Sequence, residues 1–196
     1  MKFIIYDYET LGIKPETAPI VSVAAIEFDP DRFLQGDGYD YLDTVSKANF
    51  MKFDVEYQVK QLGKKIEIDT LNWWKTQSKE AQRAIAPSKD DKKLDELYPF
   101  FTHNFDCLEV DLVYTRGNMF DVSFTKYAMK SINRVDPFGH WKIRDTRSML
   151  DGLLYGSGME NSFIPTSLID SFIKHDPRHD VVMDLMRMQT VIRKLQ

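Results

Sequence analysis

The sequence predicts a mixed α/β fold in which an antiparallel meander is followed by βα units. Strand-like segments come first, at residues 2–7, 20–28 and 39–45. Segments with helical spacing then alternate with two short strand-like runs, at 109–115 and 141–144. The short connections among the first three strands favour antiparallel pairing, whereas a strand that follows a helix can pair in parallel. We therefore expect a mixed sheet that is flanked by helices.

The individual elements have local signals. Residues 2–7 are an apolar run, and Asp29-Pro30-Asp31 supplies the turn that ends residues 20–28. Residues 39–45 fit a period of two that is typical of a partly exposed strand: Tyr39, Tyr41, Asp43 and Val45 alternate with Asp40, Leu42 and Thr44. Residues 152–166 contain three glycines and are predicted to be a loop, either near a functional site or elsewhere. Helices are predicted from about residue 69 and over 89–103, 120–132, 146–155 and 177–195.

Composition limits the classes of protein to consider. A length of 196 residues suits one domain, 1–196, and a hydrophobic fraction of 43% is globular. No apolar run is long enough to span a membrane, and Asp7 comes too early for a signal peptide. Cys107 is the only cysteine, which excludes an internal disulfide and fits a cytoplasmic location. The net charge of −4 lacks the basic bias of proteins that wrap duplex DNA, so any nucleic-acid contact is expected to be small and local.

Acidic residues follow two of the predicted strands. Asp7 and Glu9 are two residues apart, so their side chains leave a strand on the same face, roughly 6.6 Å apart along the backbone. That separation lets both carboxylates reach one hard divalent cation such as Mg²⁺. Asp121 lies where a strand passes into a helix, at the carboxyl end that collects ligands in α/β sheets. The alternatives are solvated acids at a strand end and, for Asp121, a helix cap.

A histidine and an aspartate frame the start of the last predicted helix. Pro177 suits the first helical position, and Asp176 suits the N-cap that precedes it. His175 then lies on the preceding loop and Asp180 in the first helical turn, which lets the loop bring the imidazole over an ion held by Asp180. The alternative is that His175 is an ordinary surface histidine. The other histidines have no partner pattern and are expected to be structural or exposed: His103, His140 and His179.

Taken together, these residues resemble the three motifs of the DEDDh (DnaQ-like) 3′-5′ exonuclease superfamily. The motifs are Asp7-Tyr8-Glu9-Thr10, Phe120-Asp121 and His175-x-x-x-x-Asp180. The resemblance implies a ribonuclease H-like fold, a mixed five-stranded sheet flanked by helices. It is closest to the phage exonuclease A (DexA) group, on the further stretches Asn72 to Ser78, Ile85 to Ser88 and Arg144 to Arg147.

The resemblance also implies a mechanism. Two divalent metal ions, Mg²⁺ or Mn²⁺, are expected, with Asp7, Glu9 and Asp180 holding the first and Asp121 supporting the second. His175 is expected to be the general base, with a pKa near the ordinary value of an imidazole, which suits that role at neutral pH. The implied reaction releases nucleoside 5′-monophosphates from the 3′ ends of single-stranded nucleic acid, with DNA favoured, in the cytoplasm (that of the host if the chain is phage-encoded). The alternatives are an exoribonuclease of the same superfamily, a catalytically inactive nucleic-acid-binding module, and a calcium-binding or structural domain.

Four residues are candidates for substrate contact. By resemblance, Thr10 and Leu11 lie beside the terminal sugar and base, and Leu11 is either a wedge under that base or part of the core. Trp74 and its neighbour Trp73 suggest base stacking, with one indole expected to be buried and the other partly exposed near the cleft. Arg116 stands near the position where proofreading exonucleases carry His-Asn, so their substrate contacts do not transfer to it.

Two further groups have plainer interpretations. Asp145 is expected to cap the helix that follows it more readily than to bind a metal ion. Lys60, Lys64 and Lys65 are expected to form a solvated loop face that could steer phosphate.

Overall fold

The computed structural model describes residues 1–117 and 119–196, and these residues form a mixed five-stranded sheet. Its strand order is β3-β2-β1-β4-β5. Strands β1, β2 and β3 pair in antiparallel fashion, whereas β4 pairs in parallel with β1 and β5 with β4. The predicted mixed sheet, with antiparallel strands first and parallel strands after them, is therefore confirmed. The strands are β1 (Phe3–Thr10), β2 (Ile20–Phe28), β3 (Asn49–Lys52), β4 (Leu112–Thr115) and β5 (Ile143–Asp145).

Helices cover both faces of the sheet. In the described part of the chain, no helix combines the length and apolar character needed to cross a bilayer. Short 3-10 turns occur at Pro30–Leu34, Leu94–Glu96, His140–Lys142 and Thr166–Leu168. The α-helices are α1 (Tyr41–Lys47), α2 (Val55–Leu62), α3 (Ile68–Lys75), α4 (Lys79–Ile85), α5 (Leu97–Asn104), α6 (Asp121–Ser131), α7 (Thr146–Leu153) and α8 (Pro177–Lys194).

The prediction of a third strand at 39–45 is wrong. Most of that segment lies in helix α1, and the third strand comes just after it, at β3. Asp40 caps the helix by accepting a hydrogen bond from the backbone N–H of Asp43 at 2.8 Å. Tyr41 and Thr44, three residues apart, are the buried positions and pack towards α8. Over so short a segment, the same residues satisfy a period of two and a helical period.

The segment 89–103 is helical only in its second half, from the 3-10 turn at Leu94–Glu96 through α5. Lys92 is held instead by backbone hydrogen bonds beside β3: its N–H donates to the carbonyl of Lys52, and its carbonyl accepts from the N–H of Asp54, both at 2.8 Å. The backbone N–H and carbonyl of Lys92 are therefore paired beside β3 and are not available for the hydrogen bonds of the predicted helix.

Helices α2 and α4 were not predicted, although both carry capping residues. Asp54 caps α2, and Gly63 ends it in the left-handed conformation with φ of 68°. Ser78 caps α4.

The prediction that Lys60, Lys64 and Lys65 form a solvated loop face is wrong for one of the three lysines. Lys64 is buried, and its ammonium group donates hydrogen bonds to the backbone carbonyls of Glu16 and Pro15, which anchors the loop after β1.

Side chains of β1 divide the hydrophobic core into two layers. Tyr6 and Tyr8 face the layer that contains α5 and α6, whereas Ile5 faces the layer built around α8. Successive side chains on a strand point to opposite faces, so Asp7 and Glu9 share the face of Ile5. The parallel pairing of β1 with β4 covers only Phe3 to Ile5. Both acids therefore lie beyond the end of β4, where the sheet opens beside the start of α8.

Candidate active site

Acidic side chains from β1 and α8 meet in one cavity. Asp7, Glu9, His175 and Asp180 line a cavity of about 560 Å³ at the carboxyl end of β4. The ligand-type atoms of Glu9, His175 and Asp180 all lie within 4.8 Å of one another. Glu9 is buried, and the other two are half-buried. The structure thus brings together residues that are more than 160 positions apart in the sequence.

Asp121 is not among the residues that line this cavity; it lies at the first position of α6, hydrogen-bonded to β1. Its side chain is only 1% exposed, and its Oδ1 accepts a hydrogen bond from the backbone N–H of Tyr8 at 3.2 Å. That bond fixes Asp121 against the strand between the two other acids. Its negative charge is the largest electrostatic contribution, after burial, to the raised pKa of Asp7. Asp121 is therefore a close neighbour of the β1 acids and not a solvated helix cap.

His175 is held in an unusual backbone conformation. Its φ is 67°, in the left-handed region that side-chain-bearing residues rarely adopt. The backbone N–H of His175 donates to Oδ2 of Asp180 at 2.8 Å, so the same carboxylate faces the cavity and anchors the loop. Helix α8 starts as predicted, with Asp176 as N-cap and Pro177 in the first turn. Strain of this kind typically costs about 1–3 kcal/mol and is concentrated at functional sites.

The imidazole of His175 is fixed between an indole pair and a carboxylate. Its ring packs edge-on against Trp73 and Trp74, with centroids 4.7 and 5.9 Å away. Its Nδ1 lies 4.0 Å from Oε1 of Glu9. Burial, with a further contribution from Lys174, lowers the pKa of His175 to about 4. The imidazole is therefore unprotonated at neutral pH, and its pKa is lower than the ordinary value that the sequence suggested.

Burial and mutual repulsion raise the pKa of every acid in this group. Burial raises the pKa of Asp121 to about 8 and that of Asp180 to about 7. The pKa of Asp7 is raised by burial and then by the charges of Asp121 and Glu9. The pKa of Glu9 is raised by burial and then by the charge of Asp180. Four clustered acids that cannot all ionise favourably are a donor set for hard divalent cations, which bind oxygen ligands and relieve the repulsion.

A second buried acid network, absent from the sequence predictions, lies one helical turn further along α8. Asp184 is 1% exposed, and its Oδ1 accepts from Arg187 at 2.6 Å and from Arg116 at 3.0 Å. Its Oδ2 accepts from the hydroxyl of Thr146 at 2.5 Å. Asp184 and Arg187 follow Asp180 by four and seven residues, so all three lie on one helix face. This spacing in the sequence was the signal from which the network on α8 could have been predicted.

This network also fastens the loop that precedes α8. Arg116 donates to Oδ1 of Asn161 at 2.7 Å, and Arg187 donates to the carbonyls of Phe163 at 2.7 Å and Ser162 at 3.1 Å. Arg116, a candidate for substrate contact, does line the cavity, but its guanidinium is engaged by Asp184 and Asn161. The segment predicted as a loop thus forms one wall of the cavity.

The remaining candidates lie on the other side of His175. Trp74 is 2% exposed and donates from Nε1 to the carbonyl of Thr10 at 3.0 Å, whereas Trp73 is 43% exposed. The prediction of one buried and one partly exposed indole is confirmed. Thr10 and Leu11 are both buried, and Leu11 packs in a small core cluster with Trp74. None of Thr10, Leu11 and Trp74 lines the main cavity.

Two predicted roles outside the cavity can also be compared with the structure. Asp145 caps α7, accepting from the N–H of Ser148 at 2.7 Å. His103 and His140 are exposed. His179 is buried, and its Nδ1 lies 2.8 Å from the hydroxyl of Tyr41, which makes it a structural residue.

The chain is similar to known nucleases along most of its length. Residues 2–183 match the family described as the 3′-5′ exoribonuclease Rv2179c-like domain. An exodeoxyribonuclease of Enterobacteria phage T4 is 30% identical over 208 residues, which cover 96% of this chain and 88% of that protein.

Solved structures of exonuclease I share the fold at low sequence identity. The zinc-bound complex of E. coli exonuclease I with single-stranded DNA has a TM-score of 0.59 and 16% identity, covering 100% of this chain and 41% of that one. A product-bound exonuclease I has a TM-score of 0.62 and 13% identity, covering 99% and 44%. The chain thus spans about two fifths of the exonuclease I chains that it matches. The predicted ribonuclease H-like fold is confirmed.

The raised pKa values predict an unusual dependence of stability on pH. An acid whose folded pKa is raised contributes stability below its unfolded pKa, and that contribution is lost as pH rises through the folded value. Without divalent cations, we expect the melting temperature to fall between about pH 6.5 and pH 8, from the pKa of about 7 for Asp180 and about 8 for Asp121. Below this range, the lowered pKa of His175 has the opposite effect on stability. Adding Mg²⁺ at pH 8 should restore it.

The variant Asp121→Asn tests the cause of this loss. It removes one buried charge but keeps an oxygen for the N–H of Tyr8, so in EDTA at pH 8 it should melt at a higher temperature than the wild type. It should also gain less from Mg²⁺. The exposed Asp37→Asn is the control and should change neither quantity. A lower melting temperature for Asp121→Asn than for wild type under these conditions would show that charge repulsion is not what limits stability.

Proposed function

The chain belongs to the Rv2179c-like family within the DnaQ-like 3′-5′ exonucleases, and from that premise we propose that it degrades single-stranded DNA from the 3′ end. The products are nucleoside 5′-monophosphates. The observation that carries this proposal is the convergence of Glu9, His175 and Asp180 within 4.8 Å, in a cavity that Asp7 also lines. A nucleic-acid-binding module without catalysis has no need for four repelling acids beside an unprotonated imidazole.

In this proposal, the carboxylates hold divalent cations. Asp7, Glu9 and Asp180 would hold one ion and Asp121 would support a second, with Mg²⁺ or Mn²⁺ as the ions. Such ions supply positive charge at the scissile phosphate and lower the pKa of water. The hard oxygen donors of the four carboxylates, and the mutual repulsion that raises their pKa values, support this role.

His175 acts as the general base. Its Nδ1 faces Glu9 across the cavity at 4.0 Å, and we expect this nitrogen to take the proton of the attacking water. A pKa of about 4 keeps the imidazole unprotonated and able to accept a proton throughout the neutral range. The edge-on contacts with Trp73 and Trp74 hold the ring in one orientation, which limits the entropy lost when the water is bound.

The side of the site beyond His175 receives the terminal nucleotide in this proposal. Trp73 is the exposed indole of the pair, so it is the one available for stacking on a base. Trp74 acts indirectly, because its hydrogen bond holds the carbonyl of Thr10. Leu11 and Thr10 contribute by fixing the strand end beside the terminal sugar. Any contact of Leu11 with the base requires that its buried side chain move.

Two observations bear on the choice between DNA and RNA. The T4 relative, an exodeoxyribonuclease, aligns with 96% of this chain. The matching family is described as an exoribonuclease domain, which makes RNA the second candidate. We favour DNA because the 30% identity to the exodeoxyribonuclease extends over 96% of this chain, and because the stretches Asn72 to Ser78 and Arg144 to Arg147 resemble the phage exonuclease A group.

A digestion of end-labelled oligonucleotides tests the reaction. A 5′-labelled single-stranded DNA should give a descending ladder of labelled fragments in Mg²⁺ or Mn²⁺ and no product in excess EDTA. The RNA of the same sequence should be cut more slowly, and Asp7→Asn should be inactive on both. Immediate release of labelled mononucleotide would indicate attack from the 5′ end and reject the proposed polarity. Faster cutting of the RNA would favour the second candidate.

Substitutions at His175 separate the base from the backbone conformation. His175→Ala and His175→Asn should both lower the rate by roughly 10²–10⁴, the usual contribution of a positioned general base. Asn tolerates the left-handed conformation better than Ala, so the two variants should differ in melting temperature but not in rate. Binding of single-stranded DNA, followed by fluorescence anisotropy, should be retained.

The exposed His140→Ala is the matched control for His175, since the buried His179 would disturb folding. Because the pKa of His175 is about 4, the wild-type rate should show no inflection from this imidazole between pH 6 and 8. Activity of His175→Ala within a few-fold of the wild type would exclude His175 as the base.

A further inference from the structure

The walls of the proposed catalytic cavity carry basic residues as well as acids. Four basic residues line it in addition to the acids and His175. Two of them, Arg116 and Arg187, pair with Asp184 and are tied to the loop at residues 161–163. The positive charge of these two arginines is thus largely neutralised within the protein.

The other two cations are Arg147 and Lys174. Both are exposed at the cavity, and within residues 1–117 and 119–196 neither side chain has a hydrogen bond or an ion pair. Lysine and arginine side chains lose rotamer entropy when they are ordered, and that loss is offset only if they acquire a partner. Two such cations facing one cavity therefore provide unused anion-binding capacity.

The fold fixes the backbone positions of Arg147 and Lys174. Arg147 follows Thr146, whose hydroxyl donates to Asp184 at 2.5 Å, and the capping hydrogen bond of Asp145 fixes the same turn of α7. Lys174 precedes His175, whose backbone is held by Asp180. Lys174 also borders a second groove of about 460 Å³, between the start of α4 and residues 170–175. The two backbones are thus anchored to α8, and only the long side chains are free to adapt.

We propose that Arg147 and Lys174 bind phosphodiester groups of the strand on the 5′ side of the scissile bond. This inference rests on the proposed exonuclease function. A terminal nucleotide brings one phosphate, which is the scissile one and belongs at the carboxylates. Cations elsewhere in the cavity can find phosphate partners only on further nucleotides. The ligand is therefore a run of single-stranded backbone, read by charge and not by base.

Two substrates that differ in phosphate number test the proposal. The p-nitrophenyl ester of thymidine 5′-monophosphate has one phosphodiester, whereas a short oligothymidylate has several. Arg147→Ala and Lys174→Ala should each raise KM for the oligonucleotide about tenfold, the loss expected for a charged hydrogen bond. Both should leave kcat/KM for the ester within about twofold of the wild type. Arg147→Lys should recover most of the affinity, because the charge is kept.

The salt dependence gives a second readout, which a merely structural residue would not change. Each phosphate contact contributes about 0.7 to the slope of log affinity against log salt for single strands, so each alanine variant should lose about that much. Lys130→Ala, an exposed change of equal charge on α6, should leave KM and the slope unchanged.

Three results would overturn the proposal: an unchanged salt slope in both variants, equal losses on the ester and the oligonucleotide, or a lowered melting temperature that accounts for the effect. If the wild type cleaves neither substrate, the proposed exonuclease function fails. Anisotropy titrations of labelled oligothymidylate at several salt concentrations would then still decide the role of the two cations.

Discussion

Burying several carboxylates side by side raises the electrostatic free energy of the folded chain. The arrangement of charged residues around α8 is best understood from this cost. Asp7, Glu9, Asp121 and Asp180 all have raised pKa values, with burial as the largest cause in each. A fifth acid, Asp184, adds to the repulsion that three of them experience. Positive charge must therefore enter the site, and the chain supplies it only in part.

Within residues 1–117 and 119–196, arginines pair closely with Asp184, whereas no lysine or arginine lies comparably close to Asp7, Glu9, Asp121 or Asp180. Arg116 and Arg187 lie within 3.0 Å of the Asp184 carboxylate, and removing either would leave a buried charge poorly paired. These four acids have instead one another and the imidazole of His175 as neighbours. This division separates a permanent ion-pair network from a group of acids that awaits external cations, although both lie on the same face of α8.

Helix α8 links this electrostatic arrangement to the rest of the fold. It contacts β1, β2, α1 and α7, so most of its length is buried. Its start places Asp180 under His175, and its second turn carries Asp184. The same helix thus orders the loop at 161–163 and the left-handed residue at 175. A change in the stability of α8 should therefore alter the geometry of the cavity that Asp7, Glu9, His175 and Asp180 line.

Features that depend on local spacing could be predicted from the sequence. The paired acids of β1, the Pro177 helix start and the division between Trp73 and Trp74 follow from strand direction, capping and amphipathic spacing. The third strand could not be placed, because the pattern around Tyr41 fits a helix as well as a strand. It is the contact of this segment with α8, over 130 residues away in sequence, that decides for the helix.

Features that depend on contacts between residues far apart in the sequence could not be predicted from it. Arg116 and Asp184 are 68 residues apart, and no local pattern indicates that they pair. Lys64 is ordered by backbone carbonyls of the loop after β1, which carry no side-chain signal. The pKa of His175 was expected near its ordinary value because burial between two indoles is a property of tertiary packing.

The most direct test of the central claim, that clustered buried acids await cations, is the number of protons released when Mg²⁺ binds. Titration calorimetry at pH 7, in two buffers with different ionisation enthalpies, measures this number. Because the pKa of Asp180 is about 7 and that of Asp121 about 8, roughly one proton or more should be released, and fewer as the pH is raised above these values. Equal binding enthalpies in the two buffers would mean that no proton is released, and they would contradict the account.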